Sequence, residues 1–337
     1  MAGDDADAAD ASPTRLVPSD SIPVIDLDPF LNGGPEGKAG VARAIGDACQ
    51  GIGFFYVTSH GVPQRLIDTL FSQSRRFFAL PHAEKMRVSM EGSPNHRGYY
   101  PIGGENVDPE HTVDIKEGFD IALELPPDDP DVVAGKPLHG PNQWPRDLPG
   151  FRETLSEYYD TLCGLGRMLC RVFAISLDLP EDFFDAKVAR PLTQLRLLRY
   201  PPHSGRQGEM GAGAHTDYGC VAILAQEGIG GLEVRNSAGE WRAVPPIPGS
   251  LVCNVGDMMA RWTNDRFAAT VHRVVNVSGR DRYSAVVFFD PDYDVEVACL
   301  ESCQGPDDPP KYPPTTSGEY LLSRFNATYA YREGMKA

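Results

Sequence analysis

Two histidines and one aspartate, His215, Asp217 and His272, could do chemistry in this chain. Two imidazoles and a carboxylate can hold a divalent metal on one face and leave the opposite face open, which suits non-haem Fe(II). If His215-x-Asp217 lies on a strand, both side chains project to the same side, and His272 must come from a second strand. Three protein ligands leave three octahedral positions for a chelating co-substrate and dioxygen. Zinc is the competing reading, because three ligands and an open position also make a zinc hydrolase. H-x-D alone is a weak signal, and its plain reading is a surface or capping pair. What lifts it is the company it keeps: small residues before it (Gly211-Ala212-Gly213-Ala214), a strand-like run around His272, and Arg282-Tyr283-Ser284 beyond. His60, His82, His96, His111, His139 and His203 read as packing or surface residues.

Arg282 and Ser284 stand two apart, so on a strand they face the same way. A guanidinium fork and a hydroxyl together can grip one carboxylate, with Tyr200 as a third donor. The alternative is that Arg282 is a surface residue of the turn Ser278-Gly279-Arg280-Asp281. A metal beside a carboxylate grip describes an iron enzyme that consumes a 2-oxo acid.

The elements that must position these residues change character along the chain. Residues 1–20 are acidic and Ala-rich and read as a disordered tail. Residues 21–190 read as a helical and mixed N-terminal region. Ile22–Leu27 and Gly53–Val57 have strand composition. Val41–Cys49, Gln64–Phe78 and about Phe151–Leu177 carry helical apolar stripes, the last through Leu155, Tyr159, Leu162, Leu169 and Phe173. The Pro-, Gly- and charge-rich stretch 80–148 reads as irregular, and long irregular stretches are often functional loops. Residues 191–300 alternate instead, with strands expected near 194–200, 220–226, 231–235, 241–244, 250–255, 268–277 and 283–289. Turns are expected at Asn236–Gly239, Asn254–Asp257 and Thr263–Arg266. The fold class is therefore mainly β with flanking α-helices, built on a jelly roll. Residues 301–337 supply a final helix packing on this core. Its capping box is Thr316-x-x-Glu319, and its stripe, Leu321, Phe325 and Tyr329, is a candidate lid.

Composition narrows the partners. The 337 residues carry a formal net charge of −16 and 41% hydrophobic residues, enough for a real core. That charge disfavours nucleic acid and anionic membrane surfaces, which need clustered Lys and Arg. Seven cysteines without a C-x-x-C pair read as reduced thiols. The N-terminus lacks the basic and apolar regions of a signal peptide, and no apolar run has membrane-spanning length. The expectation is a soluble, cytoplasmic monomer with a small-molecule substrate.

At these residues the chain resembles the isopenicillin N synthase-like branch of the Fe(II)/2-oxoglutarate-dependent oxygenases. The resemblance rests on Ile22–Leu27, Gly53–Val62, Leu197-Leu198-Arg199-Tyr200-Pro201-Pro202, Ala214-His215-Thr216-Asp217-Tyr218-Gly219, Gly230–Val234, Pro245–Gly249, Asn254–Asp257, Val271–Asn276 and Arg282-Tyr283-Ser284. It covers nearly everything from about 20 to 330. It implies a distorted double-stranded β-helix, cupin-like, with iron on His215, Asp217 and His272. It implies 2-oxoglutarate chelating that iron, with its far carboxylate on Arg282 and Ser284 near Tyr200. It implies O2 as oxidant, with ascorbate as a candidate reductant. The implied reaction couples 2-oxoglutarate decarboxylation to succinate with hydroxylation, desaturation or cyclisation of a small molecule, in bacterial or fungal secondary metabolism. Asp217 argues against a halogenase, which usually lacks that carboxylate.

Two departures keep alternatives open. Leu198 stands where many plant members have Asn, and the His-Thr-Asp-Tyr-Gly wording is closer to bacterial and fungal members, the ethylene-forming enzyme among them. Isopenicillin N synthase itself has an Arg-x-Ser and uses no 2-oxoglutarate, so an oxidase of the same fold is a second reading. A non-catalytic ligand-binding jelly roll is a third. Candidate substrate residues are Tyr99, Tyr100, Glu105, Phe119, Arg196, Tyr218 and Phe289, with core packing as the plain alternative for the aromatic ones.

Overall fold

Alternation of side chains across two facing sheets builds the centre of the molecule. The structure is a computed structural model and describes residues 22–108, 113–204, 206, 208–329 and 331–332. The tail expected over residues 1–20 lies outside the described residues, as does His111. The major sheet has eight strands in the order Val24–Asp26, Phe54–Thr58, Leu251–Val255, Val221–Gln226, Arg282–Phe289, Gln194–Tyr200, Glu117–Ala122, Gly98–Tyr100. Only its first pair is parallel. The minor sheet has four strands, Trp241–Ala243, Leu232–Arg235, His272–Val274 and Ala212–His215, all antiparallel. Together they make the jelly roll, and sheet strands come from both halves of the chain.

Register decides which side chains face inward. Arg282 pairs with Tyr200, Ser284 with Leu198 and Val286 with Arg196. On the other flank Ser284 pairs with Gln226 and Val286 with Leu224. The even-numbered positions of these strands therefore line the cavity between the sheets, and the odd-numbered ones point outward. Outside, helices Gly34–Gln50, Gln64–Phe78 and Phe151–Ser176 cover the major sheet. The stripe expected on the longest helix is buried throughout. Each such side chain contributes roughly 1.5–3 kcal/mol by leaving water.

Four expectations are corrected. The stretch 80–148 is not wholly irregular: Gly98–Tyr100 and Glu117–Ala122 extend the major sheet at one edge. All six residues of the latter strand are buried, charged ones included, so no alternation survives to be read. The strand expected over 268–277 shrinks to His272–Val274, with a bulge in its pairing. Asp217 lies just past the end of the Ala212–His215 strand rather than on it. The turn expected at Asn254–Asp257 instead starts a short helix, Asp257–Trp262. The final helix, Ser317–Thr328, has the expected capping box in both directions. Among the described residues no helix is long and apolar enough to cross a membrane.

Candidate active site

Cross-strand pairing brings the two histidines together. His272 is the direct partner of His215 on the neighbouring strand, and their ring centroids lie 4.4 Å apart. Asp217, beyond the end of the same strand as His215, turns its carboxylate toward both rings. Its Oδ1 lies 3.9 Å from His215 Nε2 and 3.7 Å from His272 Nε2. One ligand atom from each residue falls within 4.8 Å of the others.

Backbone carbonyls set both rings for ligation. His215 Nδ1 is 2.8 Å from Gly213 O, and His272 Nδ1 is 3.1 Å from Thr270 O. A carbonyl only accepts, so Nδ1 carries the proton and Nε2 turns a lone pair to the centre. Burial, aided by the neighbouring His272 and Lys116 and opposed by Asp217, pushes His215 down to about 4, so its imidazole is neutral at ordinary pH. The edge of the Phe54 ring meets His272 at 5.3 Å.

The loop carrying Asp217 is held from below. Asn254 Nδ2 donates to Asp217 Oδ2 at 2.6 Å, leaving Oδ1 for the centre. The first amides of the Asp257–Trp262 helix donate into the same loop: Asp257 N to Asp217 O at 2.8 Å and Met258 N to Gly219 O at 3.0 Å. Gly256 makes this possible, since a Cβ there would sit 2.4 Å from Gly219 O.

Arg282 is no surface residue. It is 1% exposed, as is Ser284. Its Nη2 donates to the neutral Gln226 Oε1 at 3.0 Å, and its Cζ lies 4.9 Å from the Tyr200 ring centroid. Arg282 Nε and Nη1 and Ser284 Oγ have no hydrogen-bond partner. Burial lowers the Arg282 pKa, with Tyr200 opposing the shift. A buried cation with unanswered donors is costly, and a carboxylate would answer all three orphaned atoms at once. The residues present therefore fit both groups: two imidazoles and a carboxylate as an N,N,O donor set for Fe(II), and a cationic fork with a hydroxyl for a dicarboxylate.

Two cavities meet at the triad, sharing Glu105, Val107, Arg196 and Phe288 as well as His215 and Asp217. One contains Arg282, Ser284 and Tyr200. The other contains Tyr218 and Asp290 and is lined by Leu321 and Phe325 of the final helix.

The expected substrate residues divide. Tyr218, Glu105 and Arg196 line the second cavity. The last two are spent on each other and on neighbours. Arg196 donates to Asp120 from Nε and Nη2, at 3.0 and 2.9 Å, and to Glu105 from Nη1 at 3.0 Å. It also reaches the Tyr329 hydroxyl. Although burial raises it, Arg196 and Lys116 hold the Glu105 carboxyl well below the usual range. Tyr99, Tyr100, Phe119 and Phe289 do not line the site. Tyr99 donates to Glu117, Tyr100 stacks its edge on Tyr329, and Phe119 is core beside Phe77 and Phe151. Phe289 sits in the outward phase of its strand, against Gly166 of the long helix. Its neighbour Phe288 is the cavity residue, in phase with Arg282 and Ser284. Sequence reasoning also passed over Asn254, Gln226, Lys116 and Asp290. Asn254 did leave a signal, as the one polar residue in the buried strand Leu251–Val255.

Comparison with known proteins agrees along most of the chain. Residues 22–147 match the N-terminal family of the non-haem dioxygenase in morphine synthesis, and residues 192–291 match the 2OG-Fe(II) oxygenase superfamily. The 2-oxoglutarate-Fe(II) type oxidoreductase hxnY of Emericella nidulans is 36% identical over 321 residues, 93% of this chain and 92% of that protein. Clavatol oxidase claD of Penicillium crustosum is 37% identical over 338 residues, 94% of this chain and 99% of that protein. A full-length Neurospora crassa protein, solved as a crystal structure in complex with alpha-KG, superposes with a TM-score of 0.82 at 32% identity, covering 92% of this chain and 98% of its own. Likeness of this extent takes in the strands that bring His215, Asp217 and His272 together as well as the helices behind them, and the chain belongs to the 2OG-Fe(II) oxygenase superfamily.

Proposed function

We propose that His215, Asp217 and His272 hold the Fe(II), and that Arg282 and Ser284, beside Tyr200, receive the far carboxylate of 2-oxoglutarate. The observation that carries this reading is the set of unanswered buried donors on Arg282 and Ser284, in one cavity with the triad. The enzyme is an Fe(II)- and 2-oxoglutarate-dependent oxygenase. When bound, iron and co-substrate supply the oxidising power, as 2-oxoglutarate and O2 give succinate and CO2 and the substrate is oxidised. The chain's own residues orient and enclose. Gly213 O and Thr270 O fix the two imidazoles, Asn254 fixes the carboxylate, and Leu321 and Phe325 give the second cavity an apolar wall.

We place the prime substrate in that second cavity, as a small, uncharged, ring-bearing molecule. Its wall is aromatic at Tyr218, Phe288 and Phe325, and its Arg196 and Glu105 charges neutralise each other. Structures of the same Neurospora crassa protein with thymine and with 5-formyluracil support a substrate of this kind, and the clavatol oxidase relative supports a role in secondary metabolism. We divide the chain into an N-terminal mixed region over 21–190, a jelly-roll core over 191–300 and a final packing helix within 301–337. We take the enzyme as a cytoplasmic monomer that works without nucleic acid, in keeping with its net charge of −16.

The direct test is anaerobic titration of the protein with Fe(II) and 2-oxoglutarate, followed by air. A weak visible charge-transfer band and succinate production are expected. Bound iron with no band, and oxygen uptake without succinate, would establish the oxidase reading instead. Asn254→Ala is expected to weaken Fe(II) affinity by about 10–100-fold, because Asp217 loses the donor that aims it. An anaerobic Fe(II) titration equal to wild type would remove Asn254 from that role.

A further inference from the structure

The cavity of the final helix holds one acid that neither the triad, the Arg282 grip nor an ion pair uses. Asp290 follows Phe288 in the inward phase of the strand that begins at Arg282, and it is 3% exposed. Its Oδ1 accepts from Cys220 N at 2.7 Å. No cation offsets it: burial and the Asp217 charge push it up to about 7, with only the Cys220 amide pulling it back. Gly219 leaves the room this carboxyl occupies, since a Cβ there would fall 1.8 Å from Asp290 Oδ1.

The other polar groups of the same cavity are already engaged. Gln194 Nε2 donates to Asp120 at 2.9 Å. The Thr216 hydroxyl interacts with the Asp257 carboxyl, and Tyr218 with Thr328. Arg196 and Glu105 bind each other. Ligand pockets are mostly apolar with a few placed polar groups that fix orientation, and here the group left over is Asp290.

We propose that Asp290 is a specificity-determining residue, whose second carboxylate oxygen accepts a hydrogen bond from an N–H or O–H carried by the substrate ring. This deepens the proposed function and rests on its placement of substrate in the second cavity. The enzyme thus selects rings that bear a donor, such as lactams or phenols, over the same rings with that donor methylated. A buried acceptor left facing a methyl group loses its hydrogen bond, and this is the stronger form of discrimination open to a binding site.

The competing role for Asp290 is structural, as a tie to Cys220 alone. Asp290→Asn separates the two, because its carbonyl oxygen keeps the tie while an NH2 donor replaces the second oxygen. The experiment uses the full chain with Fe(II) and 2-oxoglutarate, anaerobically, at about pH 8, above the value of about 7 to which burial raises Asp290. The probes are matched pairs, 2-pyridone with N-methyl-2-pyridone and phenol with anisole. The readout is the concentration at which each perturbs the visible Fe(II)–2-oxoglutarate band. In wild type the donor-bearing member is expected to act at about tenfold lower concentration than its methylated partner, consistent with one hydrogen bond. Asp290→Asn is expected to lose that preference with 2-oxoglutarate affinity unchanged. Equal action within the pairs in wild type, no action by the donor-bearing members, or the same preference in both proteins would overturn the proposal. The wild-type comparison decides by itself if the variant does not fold. A band that never forms in wild type is a different failure, that of the iron and 2-oxoglutarate reading.

Discussion

Asp217→Ala is expected to abolish oxygenase turnover while the fold survives. Asp217 is the only carboxylate among the described residues that meets both His215 and His272, with Oδ1 at 3.9 and 3.7 Å from the two Nε2 atoms. Two imidazoles alone neither offset the charge of a divalent ion nor fix its open positions. Losing several kcal/mol of metal-derived stabilisation corresponds to a fall of about 10³-fold or more in succinate formation. The loop itself should hold, because Asp217 O still accepts from Asp257 N. The local cost is the Asn254 amide left without its acceptor, about 1–3 kcal/mol. Succinate yield, an Fe(II) titration and a melting curve on the same preparation check all of this. The variant also separates an enzyme from a binding module with the same ligands. Succinate production near wild type would remove Asp217 from the metal site, and unfolding would remove the claim that the loop is independently held.

The candidate site residues were legible because their types are rare among apolar runs and, for Arg282 and Ser284, because their spacing matches the strand period. His215, Asp217, His272, Arg282 and Ser284 all converge on one cavity. The same period also reaches further along the strand. With Arg282 and Ser284 facing inward, positions 286 and 288 must follow, which selects Phe288 over Phe289 for the cavity. What could not be read was set by tertiary contact. Glu117–Ala122 is a strand whose charged residues are buried by partners far along the chain, Glu117 by Lys85 and Arg199, Asp120 by Arg196 and Gln194. Its hydrophobic pattern vanishes for that reason. Arg196 and Glu105 looked like free substrate groups because neither sequence neighbourhood announces the other across the fold. Asn254 and Asp290 are single polar residues whose partners, Asp217 and Cys220, come from the loop after His215, and only register shows it.

Arg282→Met is expected to move stability and co-substrate binding in opposite directions. In the ligand-free chain Arg282 is a buried cation with Nε and Nη1 unanswered, close to an unanswered Ser284 Oγ. Methionine keeps the length and apolar stem and removes the charge, and replacing an uncompensated buried charge by a packed apolar group relieves its desolvation penalty. The lost contacts are the Gln226 bond at 3.0 Å and the stacking on Tyr200. Both are smaller: Gln226 is only partly buried and can turn to water. The variant without ligand should therefore melt higher than wild type, by roughly 1–2 °C if about 1 kcal/mol is recovered. 2-Oxoglutarate should bind about 10²–10³-fold more weakly, the scale on which a buried charged pair loses one partner. Adding Fe(II) and 2-oxoglutarate then reverses the order of the two melting curves. The wild type gains about 2.7 kcal/mol at a hundredfold excess over Kd, and the variant gains almost nothing. A variant that melts lower without ligand would mean that Arg282 is a structural brace. A variant that keeps the 2-oxoglutarate-induced rise would mean that the far carboxylate docks elsewhere, and the grip would have to be sought at Lys116 or Arg196, the other buried cations on that cavity's wall.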